Sequence, residues 1–410
     1  MTTQTISTRC CIAGGGPAGM MLGLLLARGG IEVVVMEKHA DFLRDFRGDT
    51  IHPSTLELMS ELGLLDQFLK LPHQETRGLA AQVGDTLVRI ADFSRLPTRC
   101  RFIAIMPQWD FLNFLADQAS RYPAFTLKMR TEVTGLIEDG GRTVGVRATT
   151  PAGSLDVTAA LVIAADGRHS TVRYAAGLPF DEFGAPMDVF WFRISRRPTD
   201  DIDTMGRFDP GRIFIMINRG DVWQCGYVFA KGTAEKIREK GLPAFRDDVA
   251  RLAPSLRDRV DELHQWEDVK LLTVRVDRLR QWYSPGLLCI GDAAHAMSPV
   301  GGVGINLAIQ DAVAAANTLC GPLRSGNIGL DHLRQVQKRR EFPTRVTQRM
   351  QLAVQDRVIT RVLGQAGPLS PPLPLRIIAS LPIARRLVAR LIGLGVRPEH
   401  VRTPAVQPAR

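Results

Sequence analysis

The segment "CCIAGGGPAGMMLGLLLARGGIEVVVMEK", residues 10–38, limits the possible folds more than any other stretch. An apolar run enters a glycine-rich turn, a helical apolar pattern follows, and a second apolar run ends in Glu37 and Lys38. Gly14, Gly16 and Gly19 stand in the spacing G-x-G-x-x-G. The first glycine permits a tight turn, the second lets backbone approach a pyrophosphate, and the third lets the helix lie close on the strand. Pro17 and Ala18 open that helix, whose unpaired N–H groups would face the phosphates. Glu37 follows Gly14 by 23 positions, where an acid binds ribose hydroxyls. The spacing alone is a weak signal. Strand, turn, helix, strand and acid together predict a βαβ dinucleotide unit for a ribose with a free 2′-hydroxyl, as in NAD or FAD.

Two further segments decide between those cofactors. "LVIAADGRHSTVR" (161–173) is an apolar strand ending in Asp166-Gly167, and "GLLCIGDAAHAMSPVGGVGINLAIQDAVAAANTL" (286–319) runs from a strand into Gly291-Asp292, a proline–glycine loop and an alanine-rich helix. A plain NAD dehydrogenase has no need of the later element, whereas the ribityl chain and ring of a flavin extend beyond the first unit. With the weaker "PQWDFLNFL" (107–115), these motifs resemble the FAD-dependent aromatic monooxygenases of the p-hydroxybenzoate hydroxylase family over about residues 8–345.

The resemblance implies an α/β fold: a Rossmann-like FAD-binding domain with an inserted mixed β-sheet substrate domain and a helical C-terminus. It implies that Asp292 accepts from a ribityl hydroxyl and that Gln108 reaches the ribose or ribityl region. Pro299, Gly301 and Gly302 would set backbone against the flavin ring. Gly304, Ile305 and Asn306 would begin a helix aimed at the ring's N1 and C2 carbonyl, where a dipole end stabilises negative charge. Arg47, favoured over Arg44 because Gly48 follows it, would lie near the pyrophosphate. Asp166 and Gly167 would contact the cofactor. Arg173 would either brace the strand-end carboxylate Asp166 or reach toward the phosphates of the reductant. His295 reads as a group packed under the loop rather than as a base.

The resemblance also implies the reaction. NADH or NADPH visits transiently and reduces FAD, O₂ forms a flavin C4a-hydroperoxide, and an aromatic or other electron-rich small molecule is hydroxylated. The alternative is a reductase on the same fold, like the geranylgeranyl reductases, without oxygen insertion. A halogenase is disfavoured because W-x-W-x-I-P is absent. A non-catalytic FAD carrier is a reading of another class.

Three discontinuous spans, 1–75, 100–177 and 270–345, are expected to build the FAD domain. Residues 76–99 and 178–269 are expected to build the substrate sheet, with 346–410 as the helical C-terminal region. Within the sheet, alternation sets Phe190 and Phe192 on one face. With Met216, Tyr227 and Phe229 they are either substrate wall or core. The C-terminal stretch "PLSPPLPLRIIASLPIARRLVARLIGLGVRPEH" reads as one or two basic amphipathic helices. They would serve as a membrane-surface patch or as a cap packed on the protein.

Composition removes other classes. The 410 residues carry a net charge of +10 spread along the chain, with no basic patch or motif of a nucleic-acid reader. The eight histidines and six cysteines show neither H-x-x-x-H nor C-x-x-C spacing, so no metal site is expected. Scattered cysteines and the lack of a leader or spanning segment fit a cytoplasmic protein. Monomer and homodimer both remain open.

Overall fold

The computed structural model describes residues 4–43, 50–200 and 205–407. The glycine-rich segment folds as read: β1 (Gln4–Ala13), α1 (Pro17–Arg28) and β2 (Val33–Met36) form a βαβ unit. Proline suits the first turn of α1, where an N–H would have no partner. Every residue from Ala18 to Ala27 is buried, because the helix is held between the sheet and a second helix.

On one side of β1 lie β2 and β3 (Phe125–Lys128); on the other lie β4 (Gly153–Ala164) and the short strand Leu287–Cys289. All these neighbours run parallel. Parallel strands are covered on both faces, which is why they read as unbroken apolar runs. Glu132–Asp139 and Arg142–Thr150 extend β4 as an antiparallel meander.

The second sheet runs Lys270–Leu272, β5 (Met187–Ser195), β7 (Val222–Ala230), β6 (Arg212–Asn218), Met205–Asp209, Gly78–Val83 and Thr86–Asp92. Only the contact between Met205–Asp209 and Gly78–Val83 is parallel, so the sheet is mixed. Lys270–Leu272 pairs with Val189–Trp191 at its edge, although residue 270 opens the third span assigned above to the FAD domain.

The two faces of this sheet have different partners. Phe190, Phe192, Phe214, Met216, Tyr227 and Phe229 pack against Phe245 and Val249 of α2 (Leu242–Leu252). Val189, Trp191, Ile213 and Val228 pack instead on Val300, Ile359 and Val362.

Two long helices close the structure: α3 (Gly304–Ser325), which lies on α1, and α4 (Leu330–Val354). α5 (Pro382–Gly393) sets Val388, Ala389 and Ile392 against Phe93, Leu96, Ile103 and Ile105, so it does cap the protein. The tail then returns to α1: the Val406 amide donates to the Arg28 carbonyl at 2.8 Å and Arg28 donates to the Thr403 carbonyl at 3.3 Å. Among the described residues, no helix is long and apolar enough to cross a membrane.

Candidate active site

The strand ends of β1, β4 and Leu287–Cys289 converge, and each delivers one motif. Gly14 has φ +104°, and a Cβ there would lie 2.4 Å from the Ala165 carbonyl oxygen. Backbone of the Asp166-Gly167 turn therefore lies directly on the first glycine of α1's turn. A Cβ on Gly19 would sit 2.0 Å from the Gly14 carbonyl oxygen, whereas one on Gly16 would meet nothing within 4 Å. The middle glycine faces open space, and the outer two are enforced by packing.

Two helices begin at this convergence without help from side chains. α1 and α3 have no side-chain N-cap and no acid in the first turn, so their first N–H groups keep an unmet demand for an acceptor. The short helix Thr171–Ala175 beside them differs, since the Ser170 hydroxyl caps it by accepting from the Arg173 amide at 2.9 Å.

Isolated acceptors sit nearby. Gln108 Oε1 and Asp166 Oδ1 are shut away from water and have no partner among the described residues. An unpartnered buried acceptor is costly, and hydroxyl groups of a ribose or ribityl chain would satisfy both. Burial pushes the Asp166 carboxyl up from its ordinary value, against the lowering hydrogen bonds from Ser170 and the Val172 amide. Asp292 ends the third strand, with Oδ2 3.3 Å from Arg168 Nη2. Glu37 accepts from the Gly15 and His39 amides at 3.0 and 3.1 Å, which aims its carboxylate along the turn; Lys38 is exposed.

The loop before α3 is shaped by Gly301 and Gly302, with φ +80° and +62°. A Cβ on Gly302 would reach 2.6 Å from Thr50 Oγ1, and that hydroxyl donates to the Gly302 carbonyl at 2.9 Å. Pro299 precedes them, and Gly304 and Ile305 follow in the first turn of α3. These residues form one continuous loop and helix start. Arg44 and Arg47 lie outside the described residues.

Several side chains do something else. Asn306 turns inward: its Oδ1 accepts from the His52 amide and Thr55 hydroxyl at 2.9 and 2.8 Å, and its Nδ2 donates to the Thr50 carbonyl at 3.0 Å. Its side chain ties residues 50–55 to α3, leaving the backbone of the helix start as the outward group. Arg173 is wholly buried against Asp277 at the start of a short strand, not against the strand-end Asp166. His295 Nε2 lies 2.5 Å from Asp311 Oδ2, beneath the loop. Burial alone would raise the Asp311 carboxyl, yet His295 and Arg340 beside it hold it below the ordinary range.

Phe190, Phe192, Met216, Tyr227 and Phe229 are packed in a core against amphipathic α2, which needs an apolar partner. The sheet face turned to the loop is the other one, where Trp191 meets Val300. Along that same face, the Arg193 guanidinium lies 5.7 Å from the Trp109 ring centre, and Arg219 donates to Gln224 Oε1 at 2.8 Å.

Comparison with known proteins agrees with this geometry. A family model described as the FAD binding domain matches residues 7–350, most of the chain. The chain belongs to the FAD-dependent aromatic monooxygenases. The monooxygenase is 34% identical over 399 residues to 6-methylpretetramide 4-monooxygenase of Streptomyces rimosus, covering 97% of this chain and 94% of that one. Its identity to the anhydrotetracycline monooxygenase of the same species is 29% over 312 residues, covering 74% of this chain and 60% of that longer protein. In fold it matches the crystal structure of p-nitrophenol 4-monooxygenase from Pseudomonas putida with a TM-score of 0.75, at 21% identity, covering 96% of this chain and 98% of that one. All three are oxygenases by name, which favours oxygen insertion over the reductase alternative. Sequence reading had missed the monooxygenase's Arg168, Trp191 and Arg193. The alternation that set Phe190 and Phe192 together also set Trp191 and Arg193 together, and amphipathic α2 was the available sign of which face is core.

Proposed function

We propose that this monooxygenase uses NAD(P)H and O₂ to hydroxylate a fused-ring polyphenol that binds beside Arg193 of the second sheet and Trp109. The observation that carries the reading is the end-to-end likeness to 6-methylpretetramide 4-monooxygenase. It is supported by the exposed Arg193 guanidinium of the second sheet, 5.7 Å from the Trp109 ring centre. A flat polyphenol presents both an extended apolar body and ionisable hydroxyls, and a cation favours the phenolate, the electron-rich form.

FAD would supply the oxygen chemistry, and the chain supplies the rest. Gly16 leaves room for the pyrophosphate at the start of α1, Gly14 and Gly19 let the turn pack closely around it, and Glu37 would face the ribose. Gln108, Asp166 and Asp292 provide acceptors for hydroxyls. Pro299, Gly301 and Gly302 present backbone to the ring, and the first turn of α3 offers N–H groups to its anionic edge. The second sheet excludes water from the reacting side.

The test is turnover of the FAD-loaded protein with NADH or NADPH on tetracyclic polyphenols and on simple phenols, followed by product mass and peroxide release. A product heavier by one oxygen from the tetracyclic class supports the reading. Turnover of simple phenols alone, or NAD(P)H oxidation without oxygen insertion, would reject it.

The C-terminal helices support a separate proposal of surface contact. Between Asp356 and Glu399 the chain has seven arginines and no acid, and Leu373, Ile377, Leu381, Ile383 and Leu387 face outward from a cap that is already packed. Basic charge around an outward apolar row suits an anionic lipid surface. Co-sedimentation with phosphatidylglycerol vesicles, lost in Ile383→Asp with Leu387→Asp, tests it; equal recovery with and without vesicles would exclude it.

A further inference from the structure

The inner face of α4 contradicts ordinary helix patterning. A helix laid on a protein normally turns apolar residues inward. α4 and the turn after it bury Gln348, Gln351 and Gln355 instead, none more than 4% exposed. Their spacing places all three on one face. Buried amides are costly unless bonded, and all three of these bond one short segment, residues 296–300, with Gln348 also bonded to Asp277 and Arg278.

Gln348 Nε2 donates to the Ala296 and Asp277 carbonyls at 3.1 and 2.8 Å. Gln351 Oε1 accepts from the Ser298 amide at 3.2 Å, and its Nε2 donates to the Ser298 and Val300 carbonyls, both at 2.9 Å. Gln355 Nε2 donates to the Ser298 hydroxyl at 2.7 Å, which in turn accepts from the Val300 amide at 3.3 Å. Gln355 also begins a π-helical turn, Gln355–Ile359, a widening often found at functional sites. The carbonyls of 296, 298 and 300 are thus held as a neighbouring strand would hold them. The Ala296 carbonyl also accepts from the Asp277 amide at 3.3 Å, and the segment leads directly into Gly301 and Gly302.

We propose that Gln351, supported by Gln348 and Gln355, is a positioning residue that sets the height and tilt of loop 299–302 against the flavin ring. The inference rests on the flavin monooxygenase reading and deepens it. The loop's two left-handed glycines give it little stiffness of its own, so its placement is delegated to amides on a rigid helix. A loop held to a fraction of an ångström keeps water from the reacting face, and product formation then stays coupled to NAD(P)H consumption.

The experiment compares Gln351→Leu with Gln337→Leu. Gln337 is a buried amide on the same helix, but it bonds the Trp282 amide and the Arg280 carbonyl, away from the loop. Both variants lose buried hydrogen bonds and should lose stability alike. Only Gln351→Leu should accelerate amide hydrogen exchange of residues 298–302 in the FAD-free protein, by about tenfold or more. Only it should weaken FAD binding and lower product formed per NAD(P)H consumed, with peroxide making up the difference. Gln355→Met, which removes one bond, should show the same effects more mildly and serves if Gln351→Leu does not fold. The proposal is overturned if loop exchange and coupling in the Gln351 and Gln355 variants match those of Gln337→Leu. Exchange is read without cofactor, so that result stands apart from failure of the wild-type protein to bind FAD or insert oxygen, which would overturn the underlying reading instead.

Discussion

Arg173 and Asp277 form an ion pair from which water is wholly excluded: Nη1–Oδ1 is 3.0 Å, Nη2–Oδ2 is 3.4 Å, and neither side chain has any exposed surface. The guanidinium is also 4.6 Å from the Phe180 ring centre. The pair joins the helix after the Asp166 turn to the short strand Asp277–Leu279. Removing one partner leaves a bare buried charge, so Arg173→Met should cost about 3–5 kcal/mol. Arg173→Met combined with Asp277→Leu should recover most of that loss in urea unfolding. A double variant as unstable as the single one would contradict this account.

His52 links α5 to the start of α3. Its Nδ1 lies 2.8 Å from the Ile392 carbonyl, which can only accept, so Nδ1 carries the proton. Burial lowers its pKa to about 4, despite that carbonyl's raising effect. The unfolded chain takes up the proton near pH 6.5 and the folded chain only near pH 4. Stability tied to neutral His52 is therefore full above pH 6.5 and falls away between 6.5 and 4, by about 3 kcal/mol in total. His52→Asn keeps a donor for Ile392 and removes the titration. Its melting temperature should vary less from pH 7 to 4.5 than that of the wild type; parallel curves would refute this.

Asp292→Ala should weaken FAD binding by about 10- to 100-fold, the range expected for one hydrogen bond to a charged group, in a fluorescence titration of the flavin-free protein. Gly14→Ala should abolish binding, because no shift of a flexible side chain can relieve its clash with the Ala165 carbonyl. Unchanged affinity in either variant would remove that residue from the cofactor site.

Phe192→Ala and Arg193→Ala test which face of the second sheet meets the substrate. Phe192 is fully buried against α2. Its truncation should cost about 3–5 kcal/mol of stability and leave the substrate KM near wild type in the folded fraction. Arg193→Ala should do the reverse, raising KM by about tenfold if one charge-assisted contact is lost. A KM effect confined to Phe192→Ala would return the substrate to the other face.

Local rules carried the glycine motifs far. Gly14, Gly19 and Gly302 are dictated by backbone approach, and that constraint is written in the residue itself. The two faces of β5 were equally legible as a pair, but alternation cannot say which partner each will meet. Asn306 lies in the first turn as its position implies, but a first-turn position does not fix where an amide finds its bonds, which here are His52, Thr55 and Thr50. Gln348, Gln351 and Gln355 were invisible for a plainer reason. Glutamine on a helix reads as a solvent face, and only the irregular loop beneath α4 makes it an inside residue.

The return of the tail to α1 sets an order of events during synthesis. The carbonyl of Arg28 ends α1, and it is answered by the amide of Val406, while Arg28 itself reaches Thr403, 375 residues away along the chain. At about 5–20 residues per second, the glycine-rich turn leaves the ribosome roughly 20–75 s before the residues that finish its helix. Through that interval the nascent dinucleotide unit lacks its last cover and also lacks the strand ends at Asp166 and Asp292 for much of the time. The cover over the end of α1 is thus completed only after the tail has been synthesised.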